Sequence, residues 1–452
     1  MKLLSRLTLV EAVGLSLAVV APTVTAAFNI TLVVQAAGPA APLAFAIGAV
    51  AMVLVALSFM AFTHRVAHAG SAYAYITHTF GSRLGFVAGW TLLLTYLCFG
   101  TGFAALVGSF AGAALKGLGI QIGSMWIVIG IGAMLLAWWL AHRDMRLAGR
   151  LMLALEGIAI VAILALCVVI LNKAHPDAAL TAATVRPSAD FGGWTGLGFG
   201  MVFSILSFSG FEGAATLGEE TINPRRNIPI ALFGSVLMCA LFFVFVSYCE
   251  VVGFGLDGIR ALAKSEAPLD DLSLRYVSPR LAIALDLAAA TTCFSGVIGA
   301  IAAAGRVLYA LGRVGLSSQL ANVHPVHGTP APAVAVAGIL TILPFIVWAP
   351  ITGAGNYYSY TSTIAVLALM LNYIGVGCAE VVESLRERRI IWPAVCALGP
   401  LLLSWVLYRN IYPVPEYPNN LWPYLTLAWV ASAWIVIKAR PAVADAPLPE
   451  YI

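Results

Sequence analysis

The chain has 452 residues, of which 61% are hydrophobic and only 10% are charged. Soluble domains carry about 25% charged residues, so this composition excludes an ordinary soluble protein and indicates a membrane protein. The net charge of +4 is small, and no basic cluster has interleaved aromatic residues. A nucleic-acid partner is therefore not expected.

Apolar runs long enough to span a bilayer, about 20 residues of helix each, recur along the whole chain. Twelve such runs fall at 8–34, 41–62, 84–115, 122–141, 151–171, 194–217, 228–252, 280–305, 331–349, 356–379, 391–408 and 421–438. The longest connection, near 253–279, is too short for a soluble domain. The sequence therefore predicts an all-α polytopic membrane protein with twelve transmembrane helices, forming a single transmembrane domain over 1–452.

The placement of lysine and arginine predicts the orientation in the membrane. With the N-terminus inside, the inner segments carry about twice as many of these residues as the outer ones, so both termini are expected to be cytoplasmic. The first run could also be a cleaved secretory signal ending at Thr25-Ala26-Ala27. Because Glu11 interrupts its start and the run continues to about Val34, a retained helix in the cytoplasmic (inner) membrane is favoured.

The sixth run is interrupted by Ser209-Gly210-Phe211-Glu212-Gly213 and ends in a polar loop. A charge at this depth costs about 2.5–3.5 kcal/mol, so it usually faces a cavity, a partner or a pathway. Glycines let the helix open, and the freed backbone groups are tolerated only inside protein or along a cavity. The alternative is a packed glycine kink with Glu212 hydrogen-bonded to a neighbouring helix.

The first run also has an interruption, at Pro22, which removes a backbone donor and forces a kink or break. Runs 1 and 6 are five apart, and interrupted spans at corresponding positions of two halves are typical of a transporter site near the bilayer midplane. We therefore predict inverted repeats over 8–171 and 194–379, with 391–438 added after them.

Three motifs resemble the amino acid–polyamine–organocation transporter superfamily. They are Phe208-Ser209-Gly210-Phe211-Glu212 with Asn223-Pro224-Arg225-Arg226-Asn227 beyond it, Ala69-Gly70-Ser71-Ala72-Tyr73, and Gly305-Arg306-Val307-Leu308-Tyr309. The resemblance implies a LeuT-like 5+5 inverted-repeat fold in which helices 1 and 6 are unwound and the protein alternates between two open states. It also implies transport of an amino acid or an amine, with no enzymatic activity.

The same resemblance assigns residues to the substrate site. Backbone carbonyls of Phe208, Ser209, Gly210 and Phe211 would hold the substrate ammonium, and Glu212 matches a carboxylate linked to gating or protonation. Amides near the break in helix 1 would hold a substrate carboxylate, in the stretch Ala21, Pro22, Thr23, Val24 and Thr25. Many relatives have Gly-x-Gly there, whereas proline has no N–H, so an amine without a carboxylate stays open as the substrate.

Other candidate residues concern the pocket walls and the coupling ion. Tyr96, Phe294 and Tyr360 are candidate pocket walls. A buried carboxyl can bind a proton in one state and release it in another, which makes Glu212, Glu156 and Asp286 candidates for proton coupling. Glu156 could instead make a structural hydrogen bond, and Asp286 could lie at the outer rim. A sodium site would use the hydroxyls of Thr291, Thr292 and Ser295.

Rival classes of protein find little support in the residues. His64 and His68 are four apart with His78 beyond, but no acidic or cysteine ligand accompanies them, so no metal and no cofactor is expected. A membrane-embedded enzyme would need a nucleophile or paired catalytic groups near one face, and a receptor or structural subunit would not need two broken helices. We predict a secondary active amino acid permease coupled to protons, with a polyamine or amine transporter and an amino acid exchanger as alternatives. The oligomeric state is left open.

Overall fold

The computed structural model describes residues 9, 13, 17, 20–65, 71–121, 123–142, 146–212, 221–323, 329–441 and 443. Over these ranges the chain forms helices and turns, with no β-strand. The all-α class predicted from the composition is therefore confirmed.

The helices follow one another with short connections. The first part contains α1 (Pro22–Val24), a π-helical turn (Thr25–Asn29), α2 (Ile30–Ala37), α3 (Ala41–Arg65), α4 (Ser71–Phe80), α5 (Ser82–Gly117), α6 (Met125–Ala141), α7 (Arg146–Ala174) and α8 (Ala178–Thr184). The second part contains α9 (Gly193–Ser207), α10 (Pro224–Phe254), α11 (Ile259–Leu262), α12 (Pro268–Tyr276), α13 (Pro279–Arg313), α14 (Ala331–Thr352), α15 (Ala354–Arg386), α16 (Trp392–Arg409) and α17 (Trp422–Ala439).

Nine helical stretches within the described ranges are long and apolar enough to cross a membrane, judged by length and composition. One of them, Pro22–Thr63, combines the first two predicted runs, and Gly193–Ser207 is apolar but shorter than the others. Many membrane-length helices are thus present, as the runs of apolar residues predict. The count of twelve spans stays a prediction.

Several elements differ in extent from the apolar runs. The connection near 253–279 contains α11 and α12; α12 begins at Pro268 and has two acidic residues in its first turn, which suit a helix start. Helices α13 and α15 continue past the apolar runs to Arg313 and Arg386. Hydropathy marks the part of a helix that faces lipid, whereas backbone hydrogen bonds can extend it beyond the bilayer.

The interior is built around α5, which packs along α13 and α15, while α3 packs along α10. The close approach of α9 to α2 depends on glycine. A Cβ on Gly196 would overlap the carbonyl oxygen of Ala36, and one on Gly200 would lie 3.2 Å from the carbonyl oxygen of Val33. Small residues of this kind allow membrane helices to pack backbone to backbone. They bring α2 next to α9, the helix that leads into the predicted break at Gly210.

Candidate functional site

The backbone leaves helical geometry at Ala21, which has φ 54° and ψ 62° in the left-handed region. This conformation is strained for a residue with a side chain, and the following Pro22 disfavours a right-handed helical residue before it. The helix restarts as the short α1, passes through the π-helical turn Thr25–Asn29 and continues as α2. The interruption predicted at Pro22 is therefore visible as a local change of backbone geometry.

A second change of geometry follows α9, which ends at Ser207. Residues 208–212 form turns, in which the N–H groups of Phe208 and Ser209 donate to carbonyls three residues earlier, at 3.1 and 2.9 Å. Gly210 has φ 98°, a conformation that glycine adopts without strain. Gly213, which belongs to the same predicted interruption, lies outside the described residues.

Asn29 connects the first break to two other helices. Its side-chain amide donates to the hydroxyls of Thr25 at 3.4 Å and Ser207 at 3.2 Å. Its carbonyl oxygen accepts from the Tyr358 hydroxyl of α15 at 2.8 Å. Asn29 is 3% exposed, so these are buried polar contacts whose loss would leave unsatisfied groups. The network ties the end of the π-helical turn to the end of α9 and to α15.

Glu156 of α7 reaches the first break directly. One carboxylate oxygen accepts the backbone N–H of Thr23 at 2.8 Å, and the other accepts the hydroxyl of Thr292 of α13 at 2.5 Å. A carboxylate at the start of a helix is stabilised by the free N–H groups and by the helix dipole. Glu156 is 4% exposed. It therefore joins three helices through a single buried acid.

Glu212 occupies the second break. Its Oε2 accepts the backbone N–H of Gly210 at 3.1 Å and the hydroxyl of Tyr373 of α15 at 2.8 Å. The Tyr373 ring packs edge-on against Phe59 of α3, at 5.8 Å between centroids, and is tilted against Phe211 at 5.7 Å. Tyr96 of α5 is close enough to interact electrostatically with Glu212. The acid is thus held in an aromatic, water-poor setting.

The remaining substrate-site residues near the breaks use their backbone groups locally. The N–H of Val24 donates to Ala21, and that of Thr25 donates to the carbonyl of Pro22. Phe208 is buried with its ring 5.0 Å from Phe243. The buried hydroxyl of Ser209 has no hydrogen-bond partner among the described residues.

Three other predicted residues, Tyr360, Phe294 and Asp286, have different surroundings. Tyr360 packs between Trp348 and Trp422, at 6.0 and 5.0 Å between ring centroids, in an aromatic cluster of α14, α15 and α17. Phe294 is half-buried against the main core. Asp286 is buried on α13 near Asp270 and Asp271 of α12 rather than bonded to either break.

Two of the three hydroxyls predicted for a sodium site have different hydrogen-bond partners. Thr291 donates to the carbonyl of Leu287 on its own helix at 2.8 Å, whereas Thr292 donates to Glu156. Ser295 is half-buried one turn further along α13. Within the described part of the chain no group of three or more His, Cys, Asp or Glu side chains could hold a metal ion. His68 of the predicted histidine set is outside that part.

Sequence reasoning missed Asn29, Tyr358 and Tyr373. Asn29 is a single amide inside an apolar run, and the two tyrosines lie on the predicted tenth helix. Polar groups at such depth are rare enough to be noticed. Their partners, however, are 329 and 161 residues away in sequence, a distance over which no local pattern operates.

A bundle of membrane-length helices, two of which are interrupted beside buried carboxyls, defines the class of membrane transporters. Residues 7–434 match the family model described as amino acid permease, and the chain belongs to this family within the amino acid–polyamine–organocation superfamily. The chain is 25% identical to the branched-chain amino acid permease BcaP of Lactococcus lactis subsp. cremoris (strain MG1363), over 82% of this chain and 83% of that protein.

Two further proteins are similar to this chain. The low-affinity putrescine importer PlaP of Escherichia coli (strain K12) is 27% identical to this chain. The match covers 67% of this chain and 66% of the importer. The crystal structure of a manganese transporter of Eremococcus coleocola, in complex with an aromatic bis-isothiourea substituted compound, matches with a TM-score of 0.57 and 11% identity. It covers 96% of this chain and 95% of that chain. The similarity to the manganese transporter structure shows the fold alone.

Proposed function

We propose that this protein is a secondary active transporter that moves amino acids across the cytoplasmic membrane by alternating access, coupled to protons. The observation that carries the proposal is that the backbone breaks at Ala21 and at 208–212, with a buried carboxyl bonded to a backbone N–H at each break. Membership of the amino acid permease family supports the substrate class. Buried acids of this kind in membrane helices typically mark substrate or proton pathways.

The proposed architecture is a LeuT-like 5+5 inverted repeat of twelve spans, with repeats over 8–171 and 194–379, two added helices over 391–438 and both termini in the cytoplasm. In this arrangement helices 1 and 6 are unwound at mid-depth. The Asn29 bonds to Ser207 and Tyr358 support it, because they hold the segment after the first break against the helix that enters the second.

Substrate recognition follows from the charges of an amino acid. A zwitterion is costly to bury unless both charges are matched. The restarted helix after Ala21 presents its positive end to the substrate carboxylate, and the carbonyls around Gly210 face the ammonium. In the present conformation the Thr23 N–H is occupied by Glu156. Substrate binding therefore requires Glu156 to release that donor.

Protonation supplies the release. A neutral carboxylic acid is a weaker acceptor than a carboxylate, so a proton on Glu156 weakens its bond to the Thr23 N–H and frees the break. Glu212 acts in the same way on Gly210. Sodium coupling is the alternative, but the Thr292 hydroxyl is already used by Glu156. Within the described ranges Asp286 is bonded to neither break, so it is the weakest of the three candidates for proton coupling.

An amine transporter is the second candidate, and one observation favours it. Pro22 has no N–H, the Thr23 N–H is used by Glu156, and the Val24 N–H is used by Ala21. These donors are occupied, two acids lie at the breaks, and no lysine or arginine of the described ranges is bonded there. The site therefore suits a cation without a carboxylate. The similarity to a putrescine importer agrees with this candidate.

Uptake into proteoliposomes tests both candidates. Radiolabelled branched-chain amino acids, cationic amino acids and putrescine are offered under an inward proton gradient, an inward sodium gradient or neither, with empty liposomes as the control. Proton-driven accumulation of amino acids is expected, and accumulation of putrescine alone would select the amine candidate. Uptake that needs neither ion gradient but does need unlabelled substrate inside the liposomes would show exchange. Absence of accumulation for every compound would overturn the proposal.

Glu212→Gln is the variant that tests coupling at the second break. It keeps the shape and an oxygen acceptor for Gly210 and Tyr373 but cannot bind a proton. A loss of proton-driven accumulation is expected. If the variant transports as fast as the parent with unchanged pH dependence, Glu212 has no coupling role. Glu380→Gln is the matched control, because Glu380 is a fully buried acid of α15 that accepts hydrogen bonds from Ser384 and Trp392, which belong to neither break.

A further inference from the structure

Another buried acid, Glu250, lies in the last turn but one of α10 and belongs to neither break. Its side chain is 1% exposed, and neither carboxyl oxygen has a hydrogen-bond partner among the described residues. An ionised carboxylate in such a place would cost several kcal/mol, because nothing replaces its hydration. Glu250 therefore carries a proton in this conformation.

Hydrogen bonds close to Glu250 exclude water from its carboxyl group. The backbone carbonyl of Gly253, one helical turn after Glu250, accepts two hydrogen bonds from α12. The donors are the Arg275 side chain at 3.0 Å and the Tyr276 hydroxyl at 2.9 Å. Lys173 of α7 donates to the carbonyl of Tyr276 at 2.7 Å. These bonds pin α12 across the ends of α7 and α10. Opening this end of the bundle has to break them.

The face of α10 that carries Glu250 points toward this junction. A Cβ on Gly253 would lie 2.5 Å from Leu272 of α12 and 3.2 Å from Ile170 of α7. Residues three and four apart share a face of a helix, so Glu250 and Cys249 lie along the same side, about 4.5–6 Å below Gly253. Cys249 in turn meets Cys167 of α7.

The charged and titratable groups at this end include two that can pair with Glu250. The elements packed against α10 here carry these charged and titratable residues: Cys167, Lys173, Asp270, Asp271, Arg275, Tyr276 and the exposed Asp257 and Arg260. Arg275 and Lys173 now bind backbone carbonyls rather than an acid. When α12 moves away, water and these cations reach Glu250 and stabilise its ionised form.

We propose that Glu250 is a further proton-binding site, a positioning residue whose neutral form allows the α12 end of the bundle to stay closed and whose ionisation favours opening. The inference rests on the proposed alternating-access function. On the predicted orientation this end faces outward, so the proton leaves to the outside. Raising the pH should then shift the population toward the open state by up to about tenfold per pH unit, since one proton is released on opening.

Peptide-resolved thiol labelling of reconstituted protein tests this without using substrate. Cys249 and Cys167 are 0% and 1% exposed here, so a maleimide reaches Cys249 only after opening. The labelling rate of Cys249 is compared between the parent and Glu250→Gln from pH 5 to 9, with equal pH on both sides. The ratio of parent to variant is expected to rise with pH, because the glutamine stays neutral. Equal rates at every pH would overturn the proposal.

Two further variants separate the switch from an effect on packing or on the thiol itself. Glu250→Asp keeps the acid and should restore the pH-dependent labelling, whereas Glu380→Gln should label like the parent. Removal of a neighbouring carboxylate would by itself speed the reaction of Cys249, which is opposite in direction to the expected effect. Because labelling needs no substrate, its outcome remains informative if the uptake experiment fails for every compound.

Discussion

Glu156 offers the sharpest test of how the first break works. Glu156→Leu removes the acceptor of the Thr23 N–H and of the Thr292 hydroxyl. Thr292 can turn its hydroxyl to its own helix, as Thr291 does toward Leu287 at 2.8 Å. The Thr23 N–H has no such option, because the chain leaves helical geometry at Ala21. One buried donor is left without a partner, which costs about 1–3 kcal/mol.

Glu156→Gln separates hydrogen bonding from charge. The glutamine oxygen still accepts the Thr23 N–H, and its amide can donate to Thr292, so both contacts survive in neutral form. Neutral hydrogen bonds contribute about 1 kcal/mol less than charge-assisted ones, but the cost of burying a charge also disappears. The stability of this variant is therefore expected to be within about 1 kcal/mol of the parent, whereas the part of the proton response that depends on Glu156 should be lost.

Scanning fluorimetry in detergent and proteoliposome uptake read the two effects separately. The leucine variant should unfold at a lower temperature than the glutamine variant. The glutamine variant should transport with a weaker pH dependence than the parent, because Glu156 no longer titrates while Glu212 and Glu250 still do. Equal destabilisation by leucine and glutamine would refute the orphaned-donor argument. A parental pH profile in the glutamine variant would refute the coupling role.

Three other predictions concern contacts around the site and at the α12 end. Asn29→Leu leaves the buried Tyr358 hydroxyl without its acceptor, so the variant should lose about 1–3 kcal/mol of stability in fluorimetry, and Asn29→Asp, which keeps the acceptor, should lose less. Tyr373→Phe keeps its ring contacts but not the bond to Glu212; uptake should fall about tenfold with little change in melting temperature, and an unchanged rate would contradict the role of this bond. Burial first, and then Asp271, raises the pKa of Asp270, while Lys116 opposes the shift. An acid whose pKa is raised in the folded state destabilises the protein as the pH rises through its titration. Asp270→Asn should therefore be more stable than the parent at about pH 8 but not at about pH 4. An equal gain in stability at both pH values would contradict this.

The places where the chain breaks could be predicted from sequence, and their partners could not. Proline and glycine act on their own backbone, so Pro22 and Gly210 indicate where the geometry changes. Glu156 lies 133 residues from Thr23 and 136 from Thr292, and no pattern of either segment specifies that pairing. Two roles are predicted for Glu156, a structural hydrogen bond and proton coupling. Both would use the same contacts, with the Thr23 N–H and the Thr292 hydroxyl.

The pocket walls illustrate the same limit. Tyr96 and Tyr360 were both predicted from an aromatic residue within an apolar run. The structure places Tyr96 near Glu212 and Tyr360 between two tryptophans at another interface. Helical periodicity gives the side of a helix on which a residue lies, but which neighbour covers that side depends on tertiary packing.

The contacts of the two breaks follow one pattern, which bears on the proposed repeats. The first break is held by an acid on the predicted fifth helix, Glu156, together with the eighth, through Thr292. The second break carries its own acid, Glu212, which meets Tyr373 on the tenth helix and Tyr96 on the third. In a 5+5 repeat, helix 1 corresponds to 6, helix 5 to 10 and helix 3 to 8. Each break thus contacts the counterparts of the helices that the other break contacts, although the acids themselves are not at corresponding positions. The bond between Glu212 and Tyr373 is expected both of a packed glycine kink at Gly210 and of a transport break, and the uptake assay of Glu212→Gln separates the two.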